Sequence, residues 1–263
     1  DGRLYDLVAR YLRKFDAWNV KTVIRGLYSD ADREEIEDDL IRAGEFDERL
    51  VNRLLEATSI EEVIDTLDRT IFGSALEAAF EEYESAGVLV PLENAVDRVF
   101  YENLLSEVRW DEATQQYRDI LLAEVDFRNA RNALRLARSG ADIDPAEYYI
   151  DGGQLFTRAE LSGLASNLDE LVQRIRDSTY GDDLSDALND FEEAESLIAF
   201  ERALETALLE YSSSLGNVFP LSVSPVISYI LAKEREVDNI RAIARAREAG
   251  LSPEQIEEEL VIL

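Results

Sequence analysis

One phrase is written three times: an acid, an asparagine three residues later and an arginine six residues after that. The copies are Asp16, Asn19 and Arg25 in KFDAWNVKTVIR, Asp126, Asn129 and Arg135 in EVDFRNARNALR, and Glu236, Asn239 and Arg245 in EREVDNIRAIAR. The interval from Asp16 to Asp126 is the same as that from Asp126 to Glu236. A carboxylate and a carboxamide three positions apart on a helix share one side of it. They can form a buried polar pair that joins neighbouring helices and fixes their register, or they can contact a partner directly. A guanidinium group offers a planar fork of donors that grips acidic or carbonyl-rich surfaces.

These roles require a helix. On a helical wheel, Val20, Val23, Ile24 and Leu27 cluster into one apolar stripe. Asp16 lies inside that stripe, Asn19 lies on its edge, and Arg25 points to the opposite side. The second copy places Ala130, Ala133, Leu134 and Ala137 beside Asp126 and Asn129, and the third places Ile240, Ile243 and Ala244 beside Glu236 and Asn239. Each arginine therefore points away from its stripe, a shared direction that would present three equivalent guanidinium groups in a pseudo-threefold arrangement.

Catalytic chemistry finds little to work with. The chain has neither histidine nor cysteine, which excludes a Ser-His-Asp triad, a cysteine nucleophile and a Glu-x-x-His metal bundle. No glycine-rich phosphate loop is present. The acid-rich stretches Ser29 to Glu35 and Asp142 to Pro145 lack the glycine that a calcium loop needs at its sixth position, and read as helix caps and solvated faces. No metal or other cofactor is expected. Carboxylates are so abundant that no two of them stand out as an acid–base couple.

The chain carries 57 acids against 27 bases, a net charge of −30. So acidic a surface repels phosphate backbones, which excludes nucleic acid as a partner. Only Lys14, Lys21 and Lys233 among the bases are lysines. An acidic, lysine-poor chain suits a very salty cytoplasm, where charges are screened within about 3 Å at molar ionic strength and net charge keeps protein soluble. A cation buffer or nucleic-acid mimic would instead concentrate its acids on one surface, whereas here they run along the whole chain. The longest apolar candidate for a membrane span, Val218 to Ala232, is cut by Pro220, Ser222, Ser224 and Pro225, so a soluble chain with no direct span is expected.

The surrounding elements read as all-α. Ser59 is a candidate N-cap, with Glu61 and Glu62 in the first turn and apolar residues at 60, 63, 64 and 67. Gly250, Ser252 and Pro253 read as the end of one helix and the start of the next. The stretch Ser59 to Gly73 is matched further on by Asn167 to Gly181, with a cap, paired acids, an apolar face and then aromatic-glycine. Gly44 and Gly153, each followed by an acid or amide and then an apolar residue, mark matching breaks. The expected organisation is three helical units of about 110 residues. Residues 1–44 close the first, 45–153 form the second and 154–263 the third. The first is only partly present, in keeping with a chain that opens on Asp1.

The stretch YILAKEREVDNIRAIAR (Tyr229 to Arg245), with Gly250 to Ile256 after it, resembles the closing signature of the C-subunit family of archaeal A-type ATP synthases, whose vacuolar counterpart is the d subunit. The early stretch Tyr11 to Gly26 is similar to that family's first-copy phrase, and the resemblance covers essentially the whole chain. It implies a funnel of three helical units in the central stalk of a rotary enzyme. The wide cavity would receive the rotor shaft, and the narrow side would rest on the membrane proteolipid ring at its cytoplasmic face. Such a protein is a non-catalytic coupler in proton- or sodium-driven ATP synthesis. The resemblance also makes Arg25, Arg135, Arg245, Tyr229 and Lys233 candidates for partner contact. Two other readings stand beside it: an unrelated helical-repeat scaffold, and an enzyme built on a deep pocket of buried, non-repeating carboxylates.

Overall fold

The computed structural model describes residues 2–108, 111–139, 145–164, 167–182, 184–185, 188–189, 197–253 and 256, and all regular structure among them is helical. The chain divides into two compact units. One is Asp1–Arg109 with Glu147–Gly152, and the other is Trp110–Ala146 with Gly153–Leu263.

The first unit is built on a long helix, α1 (Gly2–Tyr28), followed by the short α2 (Arg33–Asp38), α3 (Glu48–Glu56), α4 (Ile60–Leu67), α5 (Gly73–Ala86) and α6 (Val90–Glu107). Helix α1 packs along α6 and meets α2, α3 and α4, while α5 joins α4 and α6. Its core holds Tyr11, Val20, Ile24, Val63, Leu67, Leu76, Leu92 and Val96, all fully buried. Local polar chemistry sets the helix starts. Ser59 Oγ accepts from Glu62 N at 3.3 Å, and Asp47 accepts from Leu50 N at 2.8 Å. In the acid-rich stretch after α1, Asp32 and Glu35 form a reciprocal capping box at the start of α2.

The second unit comprises α7 (Gln115–Ser139), α8 (Arg158–Leu164), α9 (Leu168–Arg176), α10 (Leu197–Val218) and α11 (Ser224–Glu248). Helix α7 packs on α9, α10 and α11, and α10 packs on α11. Asn167 caps α9 as Ser59 caps α4, accepting from Glu170 N at 3.4 Å. After α11 the chain turns at Gly250 (φ 76°), where Gly250 N donates to Arg247 O and Leu251 N to Ala246 O, a Schellman closure. The acid-rich stretch Asp142-Ile143-Asp144 lies outside the described residues. Among the described residues, no helix is long and apolar enough to cross a membrane.

Candidate functional site

Helix α1 turns its apolar stripe inward, and that carries Asp16 and Asn19 into the core, each 2% exposed. The two side chains are satisfied by the backbone of the following loop rather than by one another. Asp16 Oδ2 accepts from Glu45 N at 2.7 Å, and Oδ1 accepts from Phe46 N at 3.1 Å. Asn19 Nδ2 donates to Ile41 O and its Oδ1 accepts from Ile41 N, both at 2.8 Å, as a strand partner would. The loop can come this close because position 44 is glycine. A Cβ there would lie 2.0 Å from Asp16 Oδ1.

Helix α7 repeats the clamp. Asp126, 1% exposed, accepts from Gln154 N at 2.7 Å and Leu155 N at 2.8 Å, both on Oδ1. A Cβ on Gly153 would lie 2.2 Å from the same oxygen. The matching glycine breaks are thus the points where the chain crosses a buried carboxylate. Asn129 is buried beside Asp126. Burial pushes the carboxyls of Asp16 and Asp126 up to about 6, against the opposing pull of the backbone N–H groups they accept. Tyr180 donates its hydroxyl to Asp126 Oδ2 at 3.0 Å; burial and the adjacent carboxylate raise the tyrosine's own pKa.

The third copy departs from this arrangement. Glu236 is exposed on α11 and pairs with Lys233 one turn earlier, Asn239 is half-buried, and Ile240 is 58% exposed. The expected apolar stripe is therefore present in the sequence but not buried.

Of the arginines, Arg25 lies on the exposed side of α1 and forms an ion pair with Glu93. Arg245 is exposed, and the side chain of Arg135 lies outside the described residues. Tyr229 is 61% exposed, with the Lys233 ammonium 5.9 Å from its ring centroid.

The Arg25–Glu93 pair is one rung of a ladder not foreseen from the sequence. Along α1 and the antiparallel α6, Arg10 and Arg13 meet Glu107 at 3.1 and 2.8 Å, and Lys21 meets Asp97 at 2.6 Å. Arg13 also donates to Glu45 at 2.6 Å and to Asn103 at 3.1 Å. The readable signal was complementary spacing: Lys21 and Arg25 four apart on one helix, Glu93 and Asp97 four apart on the other.

Beside Asp126 a polar cavity of about 210 Å³ is lined by Asp119, Gln154, Thr179, Tyr180 and Tyr211. Among the described residues, Asp119 is the single carboxylate in that lining, beside the hydroxyl-bearing Thr179, Tyr180 and Tyr211. No three Asp or Glu side chains among the described residues gather into a metal-holding group. The chemistry on display is the holding of polypeptide: backbone N–H groups on buried carboxylates, and helix tied to helix by ion pairs.

A family profile described as ATP synthase (C/AC39) subunit matches residues 1–259. The chain belongs to that family. As a C/AC39 chain it is similar to the A-type ATP synthase C subunit of Haloferax volcanii, 71% identical over 263 residues. That match covers all of this chain and 76% of the relative. The A-type ATP synthase C subunit of Haloquadratum walsbyi is 66% identical over 263 residues, covering 99% of this chain and 76% of the relative. The A-type ATP synthase C subunit of Methanosarcina mazei is 30% identical over 267 residues, covering all of this chain and 71% of the relative. The C/AC39 chain described here thus spans about three quarters of the length of these relatives.

Proposed function

We propose that this chain is a non-catalytic subunit of a rotary A-type ATP synthase. Its place is the central stalk, at the cytoplasmic face between the membrane proteolipid ring and the rotor shaft, where it passes torque during proton- or sodium-driven ATP synthesis. The observation that carries this reading is the family match across residues 1–259. The site chemistry supports it. A coupler must transmit force without melting, and here buried carboxylates and a helix-to-helix ion-pair ladder stiffen the chain. Arg25, Arg135 and Arg245 are the proposed gripping residues, on three helical units arranged as a funnel around the shaft.

The test is a pull-down in molar KCl of the full-length polypeptide against purified shaft subunits and, separately, against the proteolipid ring. Binding to both, weakened several-fold by Arg245→Glu, is the expected result. A folded protein that captures neither would leave a helical scaffold with no place in the rotor.

A further inference from the structure

The unburied stripe of α11 has its counterparts inside the same chain. Val237 stands where Ala17 and Phe127 stand in the other copies, and Ile240 stands where Val20 and Ala130 stand. All four counterparts are buried, at 3%, 6%, 0% and 0% exposure, while Val237 and Ile240 are 42% and 58% exposed. Further back along the helix, Tyr229 and Val226 add more exposed apolar surface. Glu236 lies along this stripe with Asn239 beside it. Among the described residues no backbone N–H is seated on the Glu236 carboxylate, in contrast to Asp16 and Asp126.

What covers the first two copies defines what would fit the third. In each, a glycine lets the backbone reach the carboxylate, and the next two residues give it their N–H groups: Glu45 and Phe46 on Asp16, Gln154 and Leu155 on Asp126. A capped helix begins directly afterwards, at Asp47 in one case and at Thr157 in the other. A second copy of this chain has no such loop to spare, because its Gly44 and Gly153 loops are already seated on its own Asp16 and Asp126.

We propose that the exposed face of α11 is the seat for a repeat-opening segment of the same polypeptide lying outside residues 1–263. That segment reads glycine, acid or amide, apolar residue, then a capped helix. It lays two consecutive backbone N–H groups on the Glu236 carboxylate, passes over Asn239, and buries Val237, Ile240 and Tyr229. The length required is available. The part of the Haloferax relative that this chain leaves unmatched, about a quarter, exceeds the stretch from Gly44 to Val108 that serves the first copy. On this reading Tyr229 and Lys233 meet the chain's own backbone rather than the rotor shaft, and the proposal stands whether or not the protein transmits rotation.

The absence of cysteine makes the test clean. Single reporters Ile240→Cys and Val88→Cys are placed in the isolated full-length polypeptide and labelled with a maleimide in molar KCl. Val88, 40% exposed in the loop after α5, is the accessible control. The expected result is that Ile240→Cys reacts at least tenfold more slowly than Val88→Cys, and that adding Glu236→Arg restores most of the difference. Equal rates would overturn the proposal. So would protection that rises with protein concentration, the mark of a second copy, or protection that appears only after shaft or ring subunits are added, the mark of a separate partner.

Discussion

Tyr180 gives its hydroxyl hydrogen to Asp126 at 3.0 Å, tying the turn after α9 to the middle of α7. Its ring also meets Phe127 edge-on, with centroids 4.8 Å apart. At the corresponding place in the first unit stands Phe72, which meets Phe46 edge-on at 5.9 Å but has no hydroxyl to offer. One aromatic position therefore packs edge-on against a neighbouring ring in both units, and in the second it also anchors a buried carboxylate.

Tyr180→Phe consequently has a definite cost. It removes one hydrogen bond to a buried charged group, worth about 1.5–3 kcal/mol. It also takes away one of the interactions that oppose burial at Asp126, so the Asp126 carboxyl should titrate higher than about 6. Denaturant unfolding and a carboxyl titration followed by NMR would measure both effects. If neither moves, the hydrogen bond is not contributing.

The glycine breaks should tolerate no side chain. Gly44→Ala would place a methyl group 2.0 Å from Asp16 Oδ1, and Gly153→Ala one 2.2 Å from Asp126 Oδ1, so the loop or the carboxylate must shift and the hydrogen bonds between them must weaken. Each substitution should cost about 1–3 kcal/mol, the range for leaving a buried polar group unpaired. Equilibrium unfolding in molar KCl reads this directly. A loss below about 1 kcal/mol would mean that the loop relaxes without giving up the carboxylate.

The two buried carboxyls also set a pH dependence. Both titrate at about 6 in the folded chain against an ordinary value of 3.8. The folded state thus holds protons that the unfolded state has released, and the stability due to these groups falls as pH rises from about 4 to about 6, then levels off. Asp126→Asn lacks this window, whereas the other acids are common to both proteins. The difference in unfolding free energy between wild type and variant should therefore drift against the wild type across that window and be flat above it. A difference that is flat throughout would place the Asp126 carboxyl at its ordinary value.

Salt should separate the rungs of the α1–α6 ladder. Lys21 and Asp97 are only 10% and 14% exposed, so their pairing is poorly screened, while the Arg25 side chain is 47% exposed. Double-mutant cycles should give a coupling of about 0.2–1 kcal/mol for Arg25–Glu93 at low salt, vanishing in molar KCl. The Lys21–Asp97 coupling should persist there. Lys21→Ala alone should destabilise the protein at low and high salt alike, because it takes the ammonium away from a largely buried carboxylate.

Helix type, caps and the repeated phrase were legible because each rests on short-range rules. Apolar spacing marked α1 and α7, Ser59 and Asn167 marked starts by side-chain bonds within one turn, and the glycine breaks stood out by position. The ladder between α1 and α6 was visible only as two charge spacings on distant segments, since nothing local says which helices will lie antiparallel.

The sequence by itself determined that this is a helical chain of repeated phrases, with acid, asparagine and arginine at fixed places on each helix. Periodicity does that, because i, i+3 and i+4 positions share a side whatever the helix packs against. Only the tertiary structure decided what those residues do. The same phrase becomes a buried backbone clamp at Asp16 and Asp126 and an open surface at Glu236, because burial depends on whether another segment crosses the helix. That crossing is a long-range event, and at Asp16 it is possible because Gly44, on the far side of α2, has no side chain to hold the loop away.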